Sequence, residues 1–312
     1  MKYQYLFGPV NSRRLGISLG VDMVQFKTCS FNCIYCECGE TTNLTQERRE
    51  YVPTKDLINE LDHYLSKSPK LDYVTFAGSG EPTLHTGIGE IIRFVKDKYP
   101  QYKTAVLTNG SLLHLPEVRD AVRLCDLVKP SLDAVSEEAF KAISRPECNL
   151  QNKIIVDGII QFSKEYHGAL WVEVFIAQGI NDNQKELELI KKALLEINPS
   201  RVQINSLDRP GAVDWIKPAS SETLQKIAEY FKPLAVEIVS RKATQAIHDD
   251  YTNEDAKEAV LSLVRRRPST VEELSVIAGL RIDQIYEIAK TSGDEISEET
   301  VGGKTFLKSR TL

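Results

Sequence analysis

Short runs of apolar and β-branched residues alternate along this chain with longer stretches whose apolar residues recur at helical spacing. The runs predict strands over Gly16–Val21, Tyr73–Phe76, Thr104–Leu107, Leu127–Lys129, Leu170–Ile176 and Val202–Ile204. The stretches between them predict helices over Thr54–Ser66, Gly87–Tyr99, Pro116–Leu124, Gln151–Tyr166 and Asn183–Ile197. Strands spaced by helices imply right-handed crossovers and a parallel sheet. Six such units fit an α/β fold of the partial (β/α)6 TIM-like barrel kind, with an open doubly wound sheet as the alternative. In both, ligand-binding loops follow the carboxyl ends of the strands.

The pattern changes after a polar linker at Asp249 to Asn253. A helix over Glu254–Arg267 is stopped by Pro268. Thr270 then starts a second helix, with Glu273 placed for a capping box, and Ala278-Gly279 breaks it. A third helix runs over Ile282–Thr291, and Glu298–Val301 and Lys304–Leu307 flank the hairpin signal Gly302-Gly303. Three helices followed by a hairpin predict a small C-terminal winged helix-turn-helix domain. The expected division is therefore 1–248 for the barrel and 253–312 for the winged helix.

Polar and glycine residues gather where the barrel reading needs them. The first strand is followed by Phe26-Lys-Thr-Cys-Ser-Phe-Asn-Cys-Ile-Tyr-Cys36, and the second by Gly78-Ser79-Gly80-Glu81-Pro82-Thr83. Thr108-Asn109-Gly110 follows the third and Ser131-Leu132-Asp133 the fourth. Gln178-Gly179-Ile180-Asn181 follows the fifth, and Asn205-Ser206-Leu207-Asp208-Arg209-Pro210 the sixth.

Cys29, Cys33 and Cys36 carry the most chemistry. Three thiolates this close can ligate three irons of a 4Fe-4S cubane and leave the fourth iron open, since such clusters ordinarily take four cysteines. A structural zinc with Cys38 as fourth ligand competes, although zinc sites draw on two separated pairs. Cys125 and Cys148 read as plain residues with no chemical role. No secretory segment opens the chain, so a cytoplasmic location with reduced thiols is expected.

Composition narrows the partners. The 312 residues are 42% hydrophobic and 27% charged, as in soluble globular proteins, and no run approaches the roughly 18 apolar residues of a membrane span. A net charge of −5 argues against broad electrostatic capture of nucleic acid. From Asn253 onward, nine Lys and Arg face eleven Asp and Glu, which favours protein or peptide docking by the tail over DNA reading. The triplet Arg265-Arg266-Arg267 reads as the solvated, cation-favouring end of a helix, with a small phosphate patch as the alternative.

From about Pro9 to Pro210 the motifs resemble the radical S-adenosylmethionine (radical SAM) superfamily. Ser12-Arg13-Arg14-Leu15-Gly16, Gly80–His85, Pro130–Ala134 and Arg209-Pro210 are similar to its wyosine-forming tRNA enzymes. The resemblance implies two cofactors, a 4Fe-4S cluster on Cys29, Cys33 and Cys36, and S-adenosylmethionine chelating the open iron. It implies that Glu81 and the backbone of Gly78, Ser79 and Gly80 hold the methionine ammonium, with Tyr35 beside the adenine. Asn109, Ser131 and Asp133 would lie near the ribose and methionine; Ser131 and Asp133, two apart, would share a strand face. Gln178, Asn181 and Asn205 would touch S-adenosylmethionine or substrate. A one-electron reductant of the flavodoxin or ferredoxin kind would feed the cluster, and a 5′-deoxyadenosyl radical would take hydrogen from a substrate. Wyosine enzymes, on this resemblance, carry three further N-terminal cysteines, and none precedes Cys29 here. The leading expectation is an enzyme modifying a macromolecule, RNA or polypeptide. The same chemistry on a small metabolite, and a non-catalytic iron–sulfur redox sensor, are the alternatives.

Overall fold

An edge strand β1 (Leu6–Ser12) turns back antiparallel onto β2 (Gly16–Val21). A long loop follows, in which two short strands, β3 (Thr28–Cys29) and β4 (Asn43–Leu44), pair in parallel. Next come α1 (Thr54–Leu65), β5 (Tyr73–Phe76), a 3-10 turn (Pro82–Leu84), α2 (Ile88–Lys98), β6 (Lys103–Thr108) and α3 (Pro116–Val122). They are followed by β7 (Leu127–Pro130), α4 (Glu137–Ser144), α5 (Asn152–Glu165), β8 (Ala169–Phe175), α6 (Gln184–Ile197), β9 (Arg201–Asn205), α7 (Ser221–Tyr230) and β10 (Val236–Ile238). The structure is a computed structural model and describes residues 3–12, 14–239, 253–301 and 303–310. Arg13, Gly302 and the linker positions 249–252 lie outside the described residues.

The central sheet has eight strands in the order β1-β2-β5-β6-β7-β8-β9-β10, and all pairs from β2 to β10 are parallel. Each parallel strand lies beside the next one in sequence. A doubly wound sheet reverses its order at a switch point, and this one never does. The α/β fold is therefore largely parallel and wound in one direction, as the wall of a partial barrel is.

Every expected strand of this sheet is found within one residue at each end, and every expected helix within two. Their registers explain why. Leu57, Leu61 and Leu65 recur every fourth residue and are fully buried in α1, and Ile88, Ile91, Ile92 and Val95 do the same in α2. Four elements of the central sheet and its flanking α-helices were not expected. β1 carries Pro9 and an irregular register between Phe7 and Val10, which an edge strand tolerates. In α7 only Ile227 is buried, so the apolar periodicity is faint. α4 has eight residues and β10 three, too short for periodicity to declare. α4 announces itself by a cap instead, since the Ser136 hydroxyl accepts from the Ala139 amide at 3.2 Å.

The tail comprises α8 (Asn253–Val264), β11 (Ser269–Thr270), α9 (Val271–Ala278), α10 (Ile282–Thr291), β12 (Ile296–Val301) and β13 (Lys304–Ser309). Its strands form an antiparallel sheet ordered β11-β13-β12. Val264, Leu274, Ile285 and Leu307 make its core, and Val10 of β1 packs into that core. Thr270 caps α9, accepting from the Glu273 amide at 3.3 Å. The expected capping box is only half made. The Glu273 carboxylate turns instead to Arg209 and Arg267, each at 2.8 Å. Among the described residues, no helix is long and apolar enough to cross a membrane.

Candidate metal and cofactor site

The loop after β2 brings Cys29, Cys33, Cys36 and Cys38 together, all half-buried. Donors converge on the sulfurs. Lys27 Nζ lies 3.0 Å from Cys36 Sγ, the Phe31 amide 3.5 Å from Cys29 Sγ, and Asn109 Nδ2 3.6 Å from the same sulfur. Burial, then the Glu81 carboxylate, pushes the Cys29 thiol up to about 12. Burial, then Cys29 and Cys36, raises Cys33 as well. Cys36 is pulled the other way, first by the hydrogen bond it shares with Cys38 and, against burial, by Lys27. Burial works to lower the Lys27 ammonium, and the Cys36 and Cys38 sulfurs outweigh it, so the lysine stays charged.

Sequence reasoning missed Lys27. It is 2% exposed, yet its ammonium sits inside the cysteine loop. A signal existed: Lys27 is the only Lys or Arg between Arg14 and Arg48. Several thiolates in one loop need a counter-charge, since an uncompensated buried charge is costly.

The glycine turn after β5 is built onto the cysteine loop. A Cβ on Gly80 would lie 1.9 Å from the Thr28 carbonyl oxygen, and the Glu81 amide donates to that oxygen at 3.1 Å. Glu81 is 2% exposed. Its Oε1 accepts from the Thr83 amide at 3.0 Å, the Thr83 hydroxyl at 2.5 Å and the Thr108 hydroxyl at 2.7 Å; Oε2 accepts from the Asn109 amide at 2.7 Å. Burial raises its pKa and these donors oppose the rise. One oxygen is thus saturated, and only Oε2 keeps a lone pair for an incoming ammonium. Ser79 faces away from the turn, its amide and hydroxyl donating to Asp22 at 3.1 and 2.9 Å.

The remaining expected residues divide. Asn109 joins the two loops, since its Nδ2 also donates to the Ser30 hydroxyl at 2.8 Å and its Oδ1 accepts from the Ser111 amide at 2.9 Å. Its side chain is therefore a brace for the cysteine loop, and its amide groups do not point at a free site. Ser131 and Asp133 do not follow the alternation expected of them, because β7 ends at Pro130 and Ser131 makes only a bridge to Glu173. Asp133 accepts from the Tyr35 hydroxyl at 2.5 Å and the Phe175 amide at 2.8 Å, and burial raises its pKa to about 7. Tyr35 stacks on Phe175 with ring centroids 3.9 Å apart. Asn181 closes a turn, accepting from Ala177 and donating to the Asp133 and Phe175 carbonyls, so its side chain is fully engaged. The Asn205 Oδ1 accepts from the Ser206 amide at 3.0 Å. Gln178 lines a cavity of about 450 Å³ with Leu207, Asp214, Lys217 and the hairpin residues Glu299 and Val301. Cys125 is buried and Cys148 exposed beside Glu147.

His85 locks the turn to the loop before α1. Its Nε2 meets the Val52 carbonyl at 2.8 Å and its Nδ1 accepts from the Gly87 amide at 3.0 Å, so the neutral ring serves as donor and acceptor. Burial lowers its pKa below the ordinary value of about 6.5. Such a base holds fewer protons folded than unfolded, so its contribution is complete above about pH 6.5 and is lost as the pH falls below it. Thermal unfolding of wild type should therefore lose stability faster than His85→Gln on acidification from about pH 7.5 to 5.5, by about 1 kcal/mol for the displaced hydrogen bond. Parallel curves would refute the assignment.

The residues fit a cluster by their donor chemistry. Three thiols close enough for Cys29 and Cys36 to raise Cys33, with N–H donors at two of the sulfurs, are what a thiolate-held iron–sulfur group requires. Among the described residues, no three His, Cys, Asp or Glu side chains gather closely enough to hold one metal ion.

Comparison with known proteins extends the picture. The chain is 38% identical to a UPF0026 protein of Helicobacter pylori over 87% of each. It is 35% identical to a protein called GTPase Obg from Brachyspira hyodysenteriae, over 97% of this chain but only 45% of that one. The solved structure of TYW1 with a lysine-pyruvate adduct bound covers 73% of this chain and 76% of its own, with a TM-score of 0.52 and 15% identity, a likeness of fold. The model of the Radical SAM superfamily matches residues 23–194, from the cysteine loop into α6 and over half of the chain, and the chain belongs to that superfamily.

Proposed function

We propose that this chain is a radical SAM enzyme in which Cys29, Cys33 and Cys36 hold a 4Fe-4S cluster and the Gly78–Glu81 turn receives S-adenosylmethionine beside it. Cluster and S-adenosylmethionine are the cofactors of the superfamily; together they supply a carbon-centred radical able to take hydrogen from an unactivated C–H bond. One observation carries the reading: the cysteine loop and the glycine turn are joined at Thr28–Glu81 and again through Asn109, which touches both Cys29 and Glu81. Lys27 and Asn109 orient and neutralise the sulfurs. Glu81 Oε2 offers an acceptor to an ammonium, and Tyr35 with Phe175 forms an aromatic wall. Ser131, Gln178 and Asn205 stand at neighbouring strand ends as further contacts. A flavodoxin- or ferredoxin-like protein is the reductant in this reading.

The substrate is a macromolecule, docked by a winged-helix tail. Ile282 and Tyr286 support this, exposed one turn apart on α10, where an apolar pair suits a polypeptide better than a phosphate backbone. A second reading, a small metabolite, is favoured by the cavity of about 450 Å³ beside the β9 loop, a size that suits such ligands. Reconstituted without oxygen, the protein should take up about four irons per chain and release 5′-deoxyadenosine from S-adenosylmethionine under dithionite. Iron-loaded protein that leaves S-adenosylmethionine intact would overturn the proposal.

A further inference from the structure

We propose that Arg266 and Arg209 make the C-terminal unit a working part of the cofactor site. By clamping Asp22 and Glu37 they hold the glycine turn and the cysteine loop in the arrangement that binds S-adenosylmethionine. The inference rests on the cofactor reading above and adds control of that site by the tail.

The Arg265-Arg266-Arg267 triplet was expected to be a solvated helix end, but α8 stops at Val264 and the three side chains part ways. Arg265 stays within the tail, pairing with Glu295 at 2.6 Å and Glu258 at 3.4 Å. Arg267 pairs with Glu273 at 2.8 Å. Arg266 reaches beyond the tail while its Nη1 stays bonded to the Ser262 hydroxyl of α8 at 2.8 Å. Its Nε lies 3.3 Å from Asp22 Oδ2, and its guanidinium sits 5.1 Å over the Phe7 ring. The same Asp22 carboxylate accepts from the Ser79 amide and hydroxyl, and a Cβ on Gly78 would come within 2.4 Å of it. One carboxylate thus connects a tail arginine to the first two residues of the turn.

Asp22 is 8% exposed. Burial raises its pKa, and Arg266 is the largest influence opposing the rise. Without that cation, the buried carboxylate favours the protonated form. A protonated carboxyl has fewer acceptor sites for Ser79, so the turn loses its tether.

Arg209 makes a second clamp on the opposite loop. It is 3% exposed. Its guanidinium donates to the Pro268 carbonyl at 2.6 Å and to Glu273 at 2.8 Å, while its Nε lies 3.4 Å from Glu37, between Cys36 and Cys38. Val301 of β12 packs into the cluster that contains Ile34 and Tyr35. Exposed ion pairs contribute little, but these are largely buried, where removing one partner is costly. Coupling is reciprocal: a seated tail tightens S-adenosylmethionine, and S-adenosylmethionine seats the tail. A substrate or partner that draws the tail away loosens the cofactor.

Full-length, cluster-loaded Arg266→Ala, Arg266→Lys, Glu273→Gln and Arg265→Ala proteins test this. Iron per chain, the dissociation constant for S-adenosylmethionine and amide exchange over α8 and the turn would be measured. Arg266→Ala should keep its iron and bind S-adenosylmethionine on the order of ten-fold more weakly. Arg266→Lys should recover most of that loss, Glu273→Gln should weaken binding less, and Arg265→Ala should match wild type. S-adenosylmethionine should slow exchange in α8 of wild type and fail to do so in Arg266→Ala. Arg266→Ala and Glu273→Gln proteins that both bind as wild type does would overturn the clamp and leave the cofactor reading standing. Wild type that loads iron but binds no S-adenosylmethionine would overturn both.

Discussion

Replacing Cys29, Cys33 or Cys36 by alanine should leave reconstituted protein without stable iron and without measurable release of 5′-deoxyadenosine. Cys38→Ala should retain both. The distinction comes from what each sulfur touches. Cys29 receives the Phe31 amide and the Asn109 side chain, and Cys36 receives Lys27. Cys33 is raised by burial and then by Cys29 and Cys36, its neighbours in the same loop. Cys38 has a different role: its thiol donates to the Gly78 carbonyl at 3.8 Å and shares a hydrogen bond with Cys36. Loss of one of three ligands should cut iron from about four per chain to below about one, because a cubane held by two thiolates is poorly anchored. Iron content, the visible absorption of the cluster and 5′-deoxyadenosine by chromatography read the outcome. Iron lost from Cys38→Ala as well would make that sulfur a ligand and close the vacant iron on which the chemistry depends.

The parallel sheet was legible because its strands are short, largely buried apolar runs and its helices carry one apolar stripe. Val74 and Phe76, or Ile88 and Ile92, declare themselves by period alone. The gathering of the cysteines was legible because they lie within one short loop. What stayed hidden was long-range. Asp22 reads as a strand-end polar residue, yet it is held by Arg266, 244 positions away. Arg209-Pro210 was part of a motif, but the contact of Arg209 with Glu273 exists only once the tail is seated. Asn181 and Asp133 make the converse point. Polar residues at strand ends were read as ligand contacts, and both satisfy backbone groups that the turning chain leaves unpaired. Local pattern reveals which loops carry polar groups. Which of those groups remain available depends on partners that the fold supplies.

Gly80→Ala should be among the most damaging single changes outside the cysteines. Its Cβ would lie 1.9 Å from the Thr28 carbonyl oxygen, 2.9 Å from the Thr28 carbonyl carbon and 2.7 Å from Val24 Cγ2. Two of these are backbone atoms, which no rotamer change can remove. Thr28 belongs to β3 and precedes Cys29, so the carbonyl cannot retreat without moving the first sulfur. The same retreat breaks the hydrogen bond from the Glu81 amide to that oxygen, at 3.1 Å. Overpacking of roughly 1–3 kcal/mol and about 1 kcal/mol for the lost hydrogen bond predict a fall in melting temperature on the order of 5–10 °C. Iron loading and S-adenosylmethionine affinity should fall together, because one contact sets the spacing of the two loops. Gly179→Ala separates this from a general intolerance of alanine. Gly179 adopts φ +82 with open space around its Cβ position, so the change costs only the left-handed strain of about 1–2 kcal/mol. It should leave iron loading intact. If Gly80→Ala loads iron and binds S-adenosylmethionine as well as Gly179→Ala does, the two loops are not spaced by this contact.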